Sequence, residues 1–300
     1  MNKQNEIPLQ WYFHPNETVR LMRCMLFDNI DTSIDLTPTY NENLKIGVVI
    51  GTYGATPYVD LGLHYLKNIN EIEKILVHDD CSNEKNQLKT LCDDYNVDFY
   101  STEKNLWHKA CVGSLGDQNC FFEGLQWAKN NDLDILIKFS RRLIPCYKWI
   151  DDFKKLVIES DGITFSSYCE QDKFPIRTEC MAMNVKAWTN PFILNMMKFY
   201  LKNQFCTFAE FIMSNMAKQL DYQNFSEKYD NYKKQNNHGY TYSGYVHWYD
   251  LLGNNRFNNQ KRHEDVLWHM YTNEETYLNE INKIFPNKYD LNNVKNIVNI

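Results

Sequence analysis

The first half of the chain alternates between short apolar runs and segments that carry a single apolar stripe. The runs are uninterrupted and rich in β-branched residues, which is typical of strands covered on both faces, as in parallel sheets. The predicted strands are residues 46–50, 75–77, 97–100 and 135–139. Between them, apolar residues recur at helical spacing, as at Val59, Leu63 and Leu66. This order predicts a parallel sheet whose strands are joined by right-handed helical crossovers.

Local signals indicate where the helices begin. Thr56 followed by Pro57 predicts a helix with a hydroxyl N-cap and a proline in its first position. Ser82 and Asn83 predict the cap of a second helix. Apolar stripes predict later helices at residues 118–130, 149–159, 185–201, 207–220 and 274–285, and apolar runs predict two more strands at 162–166 and 180–184.

The chain shows no internal repeat, heptad pattern or strong linker, so we expect one elaborated domain. Residues 1–44 are predicted to form an N-terminal extension packed on the core, and residues 45–300 the domain itself. Within the domain, residues 221–244 are polar and rich in Asn, Lys and Tyr, which predicts a mobile loop or lid.

Composition narrows the possible functions. The 300 residues carry a formal net charge of -6 with a pI near 5.8, which gives no overall basic footprint for binding nucleic acid. No apolar run approaches the roughly 20 residues that cross a bilayer, and the first residues lack the apolar core of a secretory signal. The nine cysteines are scattered without a C-x-x-C pair, which indicates reduced thiols. We therefore expect a cytoplasmic protein without a transmembrane segment.

Three short polar motifs directly follow predicted strands. They are Thr52-Tyr53-Gly54, His78-Asp79-Asp80 and Ser140-Arg141-Arg142. Ligands of open α/β sheets bind at the carboxyl ends of the strands, so we expect the motifs to share one crevice. Carboxylates accept hydrogen bonds from hydroxyl and ring N–H groups, and arginines present several donors to phosphate oxygens. The alternatives are helix capping and solvation for the aspartates, loop packing for the tyrosine, and surface ion pairing for the arginines.

The run VVIGTYG…ILVHDDCS…DILIKFS resembles the nucleotide-binding half of GT-A-type glycosyltransferases, in particular the large family 2-like group. Those proteins have one strand that ends in a T-Y-N-like turn and a second that ends in V-D-D-G-S. The resemblance covers residues 45–145 and implies that Asp79 or Asp80 contacts the base and ribose of a nucleotide sugar, with a UDP-sugar favoured. Thr52-Tyr53-Gly54 would lie nearby, and residues 146–300 would form the acceptor and catalytic half.

The next strand departs from that family. In the family, this strand usually ends in D-x-D, which holds a divalent cation on the diphosphate. Here the same position reads Lys138-Phe139-Ser140-Arg141-Arg142 and contains no acid. Either Arg141 and Arg142 neutralise the leaving diphosphate themselves, or the protein has lost catalysis. Charge on a leaving group needs a cation but not necessarily a metal, so we favour the first explanation. No metal or other cofactor is expected, with Mn²⁺ or Mg²⁺ as the alternative.

The tail segment HEDVLWH, residues 263–269, resembles the E-D element that inverting GT-A enzymes place beside the acceptor. The resemblance implies that Asp265 takes the proton of the acceptor hydroxyl, with Glu264 beside it. The alternative is that both acids begin a helix. Glu179, just before a predicted strand, is a second candidate base, and its alternative is a solvated acid at the strand edge. Trp248 and Tyr249, next to the polar stretch, are the predicted acceptor contacts.

The sequence therefore predicts an α/β fold, with a GT-A-like, Rossmann-type, mostly parallel sheet flanked by helices and a helical C-terminal acceptor region. The predicted activity is transfer of a sugar from a nucleoside diphosphate sugar to a glycan or other hydroxyl acceptor, with inversion and without a metal. One alternative is a non-catalytic nucleotide-sugar or glycan-binding protein. Another is a nucleotidyltransferase on a similar sheet, although the turn at residues 51–54 has no nearby Lys or Arg to hold a triphosphate.

Overall fold

The computed structural model describes residues 38–106, 114–145, 149–166, 178, 180–202, 209–220, 245–246, 267–269 and 274–298. The strands in these residues are β1 (Ile46–Thr52), β2 (Ile72–Asp79), β3 (Asp98–Ser101), β4 (Ile135–Ser140), β5 (Leu143–Pro145), β6 (Thr164–Ser166), β7 (Cys180–Asn184), β8 (Tyr245–Val246) and β9 (Leu267–His269). Seven of them form one sheet in the order β3-β2-β1-β4-β7-β6-β8, and β5 pairs with β9 in a small second sheet.

Most neighbouring strands of the main sheet are parallel. β3, β2, β1 and β4 run in the same direction, and β8 is parallel to β6. β7 lies antiparallel between β4 and β6. The predicted α/β class, a mostly parallel sheet flanked by helices, is confirmed.

Helices cover both faces of the sheet. They are α1 (Thr56–Leu66), α2 (Lys85–Tyr95), α3 (Ser114–Asn130), α4 (Trp149–Ser160), α5 (Val185–Trp188), α6 (Pro191–Lys202), α7 (Ala209–Leu220), α8 (Glu274–Ile284) and α9 (Leu291–Val298). α1, α2 and α4 pack on one face, whereas α3, α5, α6 and α7 pack on the other. α8 and α9 form an outer layer on α1, where the rings of Tyr58 and Tyr277 lie 5.7 Å apart.

Burial on both faces explains why the strands read as continuous apolar runs. Along β1, Val48 and Ile50 pack towards α1, and Val49 packs towards α3. All three side chains are almost fully buried, so a polar residue is disfavoured on either face. Apolar burial of this kind is the main stabilising contribution in a folded chain.

Two predicted helix starts are wrong in detail. α1 is preceded by Ala55, which has φ 60° and provides no side-chain cap, so Thr56 is already inside the helix. α2 is preceded by Glu84, and the Ser82 hydroxyl accepts a hydrogen bond from Glu84 N (3.2 Å) rather than capping the helix itself. A carboxylate from another part of the chain replaces the expected hydroxyl cap of α1, as described below.

The single helix predicted over residues 185–201 is also wrong, because the chain forms α5 and α6 there. Asn184 caps α5 by accepting a hydrogen bond from Ala187 N (2.8 Å). Asn190 then accepts a hydrogen bond from Phe192 N (2.9 Å), and Pro191 starts the new helix. Two local caps therefore interrupt an apolar stripe that looks continuous in the sequence.

The predicted N-terminal extension is described only from residue 38, and the predicted lid at residues 221–244 lies outside the described residues. Tyr40, near the end of that extension, is packed against the apolar cluster beneath α1. Across the portion that the structure describes, none of the helices combines the length and the apolar character required to cross a membrane.

Candidate functional site

The carboxyl ends of β1, β2 and β4 lie side by side and bring the three predicted motifs together. Thr52 is paired with Asp79 across β1 and β2. The contact continues beyond the strands, because Asp80 N donates to Thr52 O (3.0 Å) and Arg141 N donates to Gly51 O (3.1 Å). This edge is where open α/β sheets bind ligands, and we treat it as the candidate site.

The turn after β1 is sharp and presents an aromatic ring. Gly54 and Ala55 both have φ 60°, a left-handed conformation that glycine adopts without strain. The Thr52 hydroxyl donates to Gly54 O inside the turn. The Tyr53 side chain is 47% exposed. The turn therefore offers an exposed aromatic surface beside the crevice.

The Asp79 carboxylate fixes this turn through hydrogen bonds. Its carboxylate accepts hydrogen bonds from Gly54 N (3.2 Å), Ser82 N (2.9 Å) and the Ser101 hydroxyl (3.2 Å). The side chain is fully buried, so both oxygens face the protein. Asp79 thus ties together the turns that follow β1, β2 and β3, and its predicted contact with a nucleotide stays a prediction.

Asp80 organises the next turn along the edge. Its carboxylate accepts hydrogen bonds from the Thr102 hydroxyl (3.2 Å) and from Leu106 N (3.0 Å). The first turn of α3 comes so close that a Cβ at Gly116 would lie 2.6 Å from Asp80 Oδ2. A side chain at position 116 would therefore have to displace the carboxylate, which is nearly buried. Its predicted role as a ligand contact also stays a prediction.

Glu84 is a site residue that the sequence reasoning missed. Its carboxylate accepts hydrogen bonds from Ala55 N (3.2 Å), Thr56 N (2.8 Å) and the Thr56 hydroxyl (2.6 Å). A Cβ at Gly54 would lie 2.9 Å from Glu84 Oε1, so the turn and the carboxylate are in close contact. The acid caps α1 from the turn that follows β2, because carboxylates stabilise helix N-termini. Its only sequence signal is an acid shortly after the end of a strand.

Arg141 and Arg142 lie at the end of β4, as predicted. The Arg141 guanidinium donates to Tyr53 O, which joins the end of β4 to the turn after β1. Arg142 is fixed through its backbone, since its carbonyl accepts a hydrogen bond from the Tyr277 hydroxyl (2.9 Å) of α8. Both arginine side chains are partly exposed. The two cations thus stand at the mouth of the crevice on the β4 side.

The small second sheet brings the C-terminal part of the chain to the arginines. β5 begins directly after Arg142, and its Leu143 pairs with His269 of β9. β9 is the last part of the segment HEDVLWH, in which the sequence predicted a base. The strand that ends this segment therefore lies next to the strand end that carries the two cations.

A buried lysine lies just below the edge, and it too was missed. Lys138 in β4 is 1% exposed, and its ammonium donates to the Asp117 carboxylate of α3 and to Thr178 O (2.6 Å). The ammonium also lies 4.9 Å from the centre of the Phe121 ring. Burial by itself lowers the pKa of an ammonium, but the Asp117 carboxylate outweighs this and holds the pKa of Lys138 above its ordinary value. Lys138 therefore stays charged and links β4, α3 and the start of β7.

His78 and Cys120 are buried on the same side of the sheet. Burial lowers the pKa of His78 to about 4, so its imidazole is neutral at pH 7. The ring lies 3.0 Å, Nε2 to Nδ2, from Asn119 and stacks on Tyr100 at a centroid distance of 5.2 Å. Burial raises the pKa of the Cys120 thiol to about 12, so it is not a nucleophile at neutral pH. Both side chains are structural in this geometry.

The described residues at this edge do not form a metal site. Guanidinium groups cannot ligate a cation, and the oxygens of Asp79 and Asp80 accept hydrogen bonds from the surrounding turns. Among the residues that the structure describes, no cluster of three or more His, Cys, Asp or Glu side chains could hold a metal. The expected independence from metals stays a prediction.

The predicted catalytic and acceptor residues lie outside the described residues. They are Glu179, Trp248, Tyr249, Glu264 and Asp265. Thr178, directly before Glu179, is buried, and its hydroxyl lies 3.3 Å from a carboxylate oxygen of Glu210 in α7. The predicted roles of all five residues therefore remain predictions.

No family model matches the chain, and no curated protein matches it. Among solved structures, S. aureus TarS 1-349 in complex with UDP is similar with 14% identity and a TM-score of 0.37, over 48% of each chain. The glycosyltransferase GlyE of Streptococcus pneumoniae TIGR4 is similar with 12% identity and a TM-score of 0.38, over 64% of this chain and 50% of GlyE.

A different class of enzyme is similar to the same degree. The 4-diphosphocytidyl-2C-methyl-D-erythritol synthase of Anaerococcus prevotii DSM 20548 has 14% identity and a TM-score of 0.35, over 55% of this chain and 78% of that one. This chain spans about half the length of the TarS fragment and of GlyE. Likenesses of this size carry no argument about activity, and the fold class rests on the sheet order itself.

Proposed function

We propose that this protein transfers a sugar from a nucleoside diphosphate sugar, with a uridine nucleotide favoured, to the hydroxyl of a glycan or another acceptor. The observation that carries the proposal is the joint between Tyr53 and Arg141. The Arg141 guanidinium donates to the backbone carbonyl of Tyr53, whose aromatic side chain is exposed at the ligand-binding edge of the sheet. A nucleoside diphosphate needs both, because its base stacks on aromatic faces and its phosphates bind arginine.

The aspartates act through the turns that they hold. Asp79 is fully buried and fixes the backbone of Gly54, and Asp80 fixes the loop that follows β3. In this proposal they shape the wall against which the nucleoside lies. A donor that opens the loop after β3 would gain access to Asp80, which is the less buried of the two carboxylates.

The proposed reaction is a direct displacement at the anomeric carbon. The acceptor oxygen forms a bond to that carbon while the bond from the carbon to the phosphate oxygen breaks, and the diphosphate leaves with the electron pair. Arg141 and Arg142 stabilise the charge that develops on the leaving group, which is the role of a preorganised cation. Attack from the opposite face gives inversion.

The proton of the acceptor hydroxyl passes to a carboxylate. We favour Asp265, with Glu264 and Glu179 as further candidates and Trp248 and Tyr249 as acceptor contacts. This choice rests on the resemblance of the segment HEDVLWH to the E-D element of inverting enzymes. β9, at the end of this segment, pairs with β5, and its His269 lies opposite the residue that follows Arg142. A general base must come within hydrogen-bond reach of the proton that it removes.

A nucleotidyltransferase is disfavoured by the turn after β1. Such an enzyme must hold a triphosphate, and a natural place for it is a turn with free amides at a helix N-terminus. Here the amides of Gly54, Ala55 and Thr56 already donate to carboxylates of the protein. The second alternative is a protein that binds nucleotide sugars without turnover. The turnover measurement described below distinguishes it from the proposed enzyme.

The first test measures nucleotide binding by thermal shift, with UDP and uridine in EDTA and again in Mn²⁺. We expect UDP to raise the Tm in EDTA, because a ligand that binds only the folded state stabilises it. Arg141→Met together with Arg142→Met is expected to weaken UDP binding by about tenfold or more and to leave uridine unchanged. Lys104→Met, which removes an exposed cation on the same edge, is the control.

Turnover separates the enzyme from the binding protein. In a screen of nucleotide sugars with water or glycans as acceptors, Asp265→Asn is expected to abolish turnover and to retain UDP binding. Binding of UDP without turnover of any donor by the unmodified protein would support the non-catalytic alternative. UDP binding that requires Mn²⁺ would contradict the assignment of the diphosphate to the arginines.

A further inference from the structure

The turn after β1 is the place where the fold would ordinarily offer an anion site. The first amides of a helix have no partner within the helix and point towards its N-terminal end, where the helix dipole is positive. α1 begins at the ligand-binding edge, and its N-terminal amides therefore face the crevice. Phosphate groups commonly bind at such helix starts.

Every amide of this helix start already has a partner. Ala55 N and Thr56 N donate to Glu84, at 3.2 and 2.8 Å. Pro57 has no amide hydrogen. The next amides, of Tyr58 and Val59, donate to Ala55 O at 3.0 and 3.2 Å. The carboxylate of Glu84 thus takes the position that a phosphate would occupy.

The neighbouring groups add to this effect. The Asp79 carboxylate accepts a hydrogen bond from Gly54 N, one residue before Ala55, so two carboxylates lie at the same turn. The cations stand on the other side, at the end of β4, where Arg141 reaches the carbonyl of Tyr53. One wall of the crevice is therefore acidic and the other is basic. A phosphate placed at α1 would have to displace one carboxylate and approach another.

We propose that Glu84 is a specificity residue that excludes a third phosphate from the site. This inference rests on the proposed function. Two phosphates of the donor are bound by the arginines, and the only other anion site that the turn could supply is filled by Glu84. The protein would then select nucleoside diphosphates and their sugars over nucleoside triphosphates, which are abundant competitors in cells.

The test compares UDP with UTP by calorimetric titration in EDTA. The unmodified protein is expected to bind UDP at least about tenfold more tightly than UTP, because like charges at this range cost about that factor. Glu84→Gln removes the charge and keeps one oxygen, which can accept the hydrogen bonds of Thr56, while an NH2 group replaces the oxygen that accepts from Ala55 N. It is expected to reduce the UDP preference by about tenfold, mainly through tighter binding of UTP.

Glu103→Gln is the matched control. Glu103 is an exposed acid in the loop after β3, at the same edge of the sheet, and has no contact with α1 among the hydrogen bonds of the described residues. Its neutralisation changes the net charge by the same amount, and the UDP preference is expected to persist. An equal gain in UTP binding in this variant would show that net charge, and not the Glu84 contact, sets the preference.

The outcomes separate the inference from the function on which it rests. UDP binding with an equal or higher affinity for UTP in the unmodified protein overturns the inference alone, and needs no variant that must fold. An unchanged preference in a folded Glu84→Gln protein also overturns it. Absence of binding for both nucleotides overturns the proposed function together with the inference.

Discussion

The two faces of the main sheet are built differently. On the face that packs against α1, α2 and α4, the strand residues are apolar up to the strand ends, as Val48, Val77 and Ile137 illustrate, and the buried carboxylate of Asp79 lies at the last residue of β2. On the face that packs against α3, two ionisable side chains, His78 and Lys138, are buried among the strands. Both polar residues lie in the last part of their strands, close to the candidate site.

The α3 face is closely packed beside Gly51. A Cβ at Gly51 would lie 3.0 Å from the sulfur of Cys120 and 3.5 Å from Cε of Lys138. The absence of a side chain at Gly51 leaves room for the lysine stem, which then reaches Asp117 on α3. The apolar face therefore has its polar contacts at the strand ends, as at Asp79, whereas the α3 face also carries them within the sheet, as at Lys138.

The largest effect is expected from Asp117→Ala, which removes the carboxylate partner of Lys138. A buried ammonium is left without its counter-charge, and breaking a buried pair from one side costs about 3–5 kcal/mol. Urea denaturation followed by circular dichroism measures this loss in the free energy of unfolding. We also expect the backbone at Thr178, which Lys138 holds, to exchange amide hydrogens faster.

The double variant Asp117→Ala with Lys138→Met tests the cause. If the loss comes from an unpaired buried charge, replacing the lysine by an apolar side chain of similar length recovers most of it. A double variant as unstable as Asp117→Ala would mean that the carboxylate acts through packing. If Asp117→Ala lowers the free energy of unfolding by less than about 1 kcal/mol, the Lys138–Asp117 pair contributes no more than an ordinary surface ion pair.

The second largest effect concerns His78 and pH. Its pKa is about 4 in the folded protein and is ordinarily 6.5, because burial disfavours the charged ring. Above pH 6.5 the ring is neutral in both states and has no effect on stability. As the pH falls from 6.5 towards 4, the unfolded chain binds a proton that the folded protein does not, so stability is lost. A shift of this size corresponds to about 3 kcal/mol.

His78→Gln isolates this contribution, because carboxylates also titrate near the lower end of the range. We expect the free energy of unfolding of the variant to fall less steeply between pH 6.5 and 4 than that of the unmodified protein. The difference between the two curves should therefore grow as the pH is lowered. Parallel curves would show that the ring is protonated, and hence solvated, in the folded state.

Much of the sheet could be predicted from the sequence, because burial on both faces gives its strands continuous apolar runs. β1, β2, β4 and β7 were found, and the three polar motifs were correctly expected to meet at one edge. Strands of two or three residues, such as β5 and β9, were missed because so few residues give no periodic signal. Their pairing depends on residues more than a hundred positions apart.

The polar contacts of the site were harder to predict because they too join residues that are distant in the sequence. Lys138 stands in a run of apolar residues and was noticed only as part of the missing acidic motif, whereas its partner Asp117 lies in another element. Glu84 caps a helix that begins 28 positions earlier in the chain. Sequence signals for capping are local, so a cap supplied from elsewhere leaves the wrong residue, Thr56, as the apparent cap.

The smallest effect is expected on the apolar face, from Ile137→Val. Ile137 is fully buried in β4, and its side chain lies on the opposite side of the strand from that of Lys138. Loss of one methylene from such a core costs about 0.5–1.5 kcal/mol. Ile135→Val, two residues earlier on the same face, is the matched variant and should give a similar loss. UDP affinity should remain unchanged in both, because neither side chain reaches the groups that hold the turns. A clear loss of affinity in Ile137→Val without one in Ile135→Val would show that the apolar face also transmits changes to the site, and the distinction between the two faces would no longer hold.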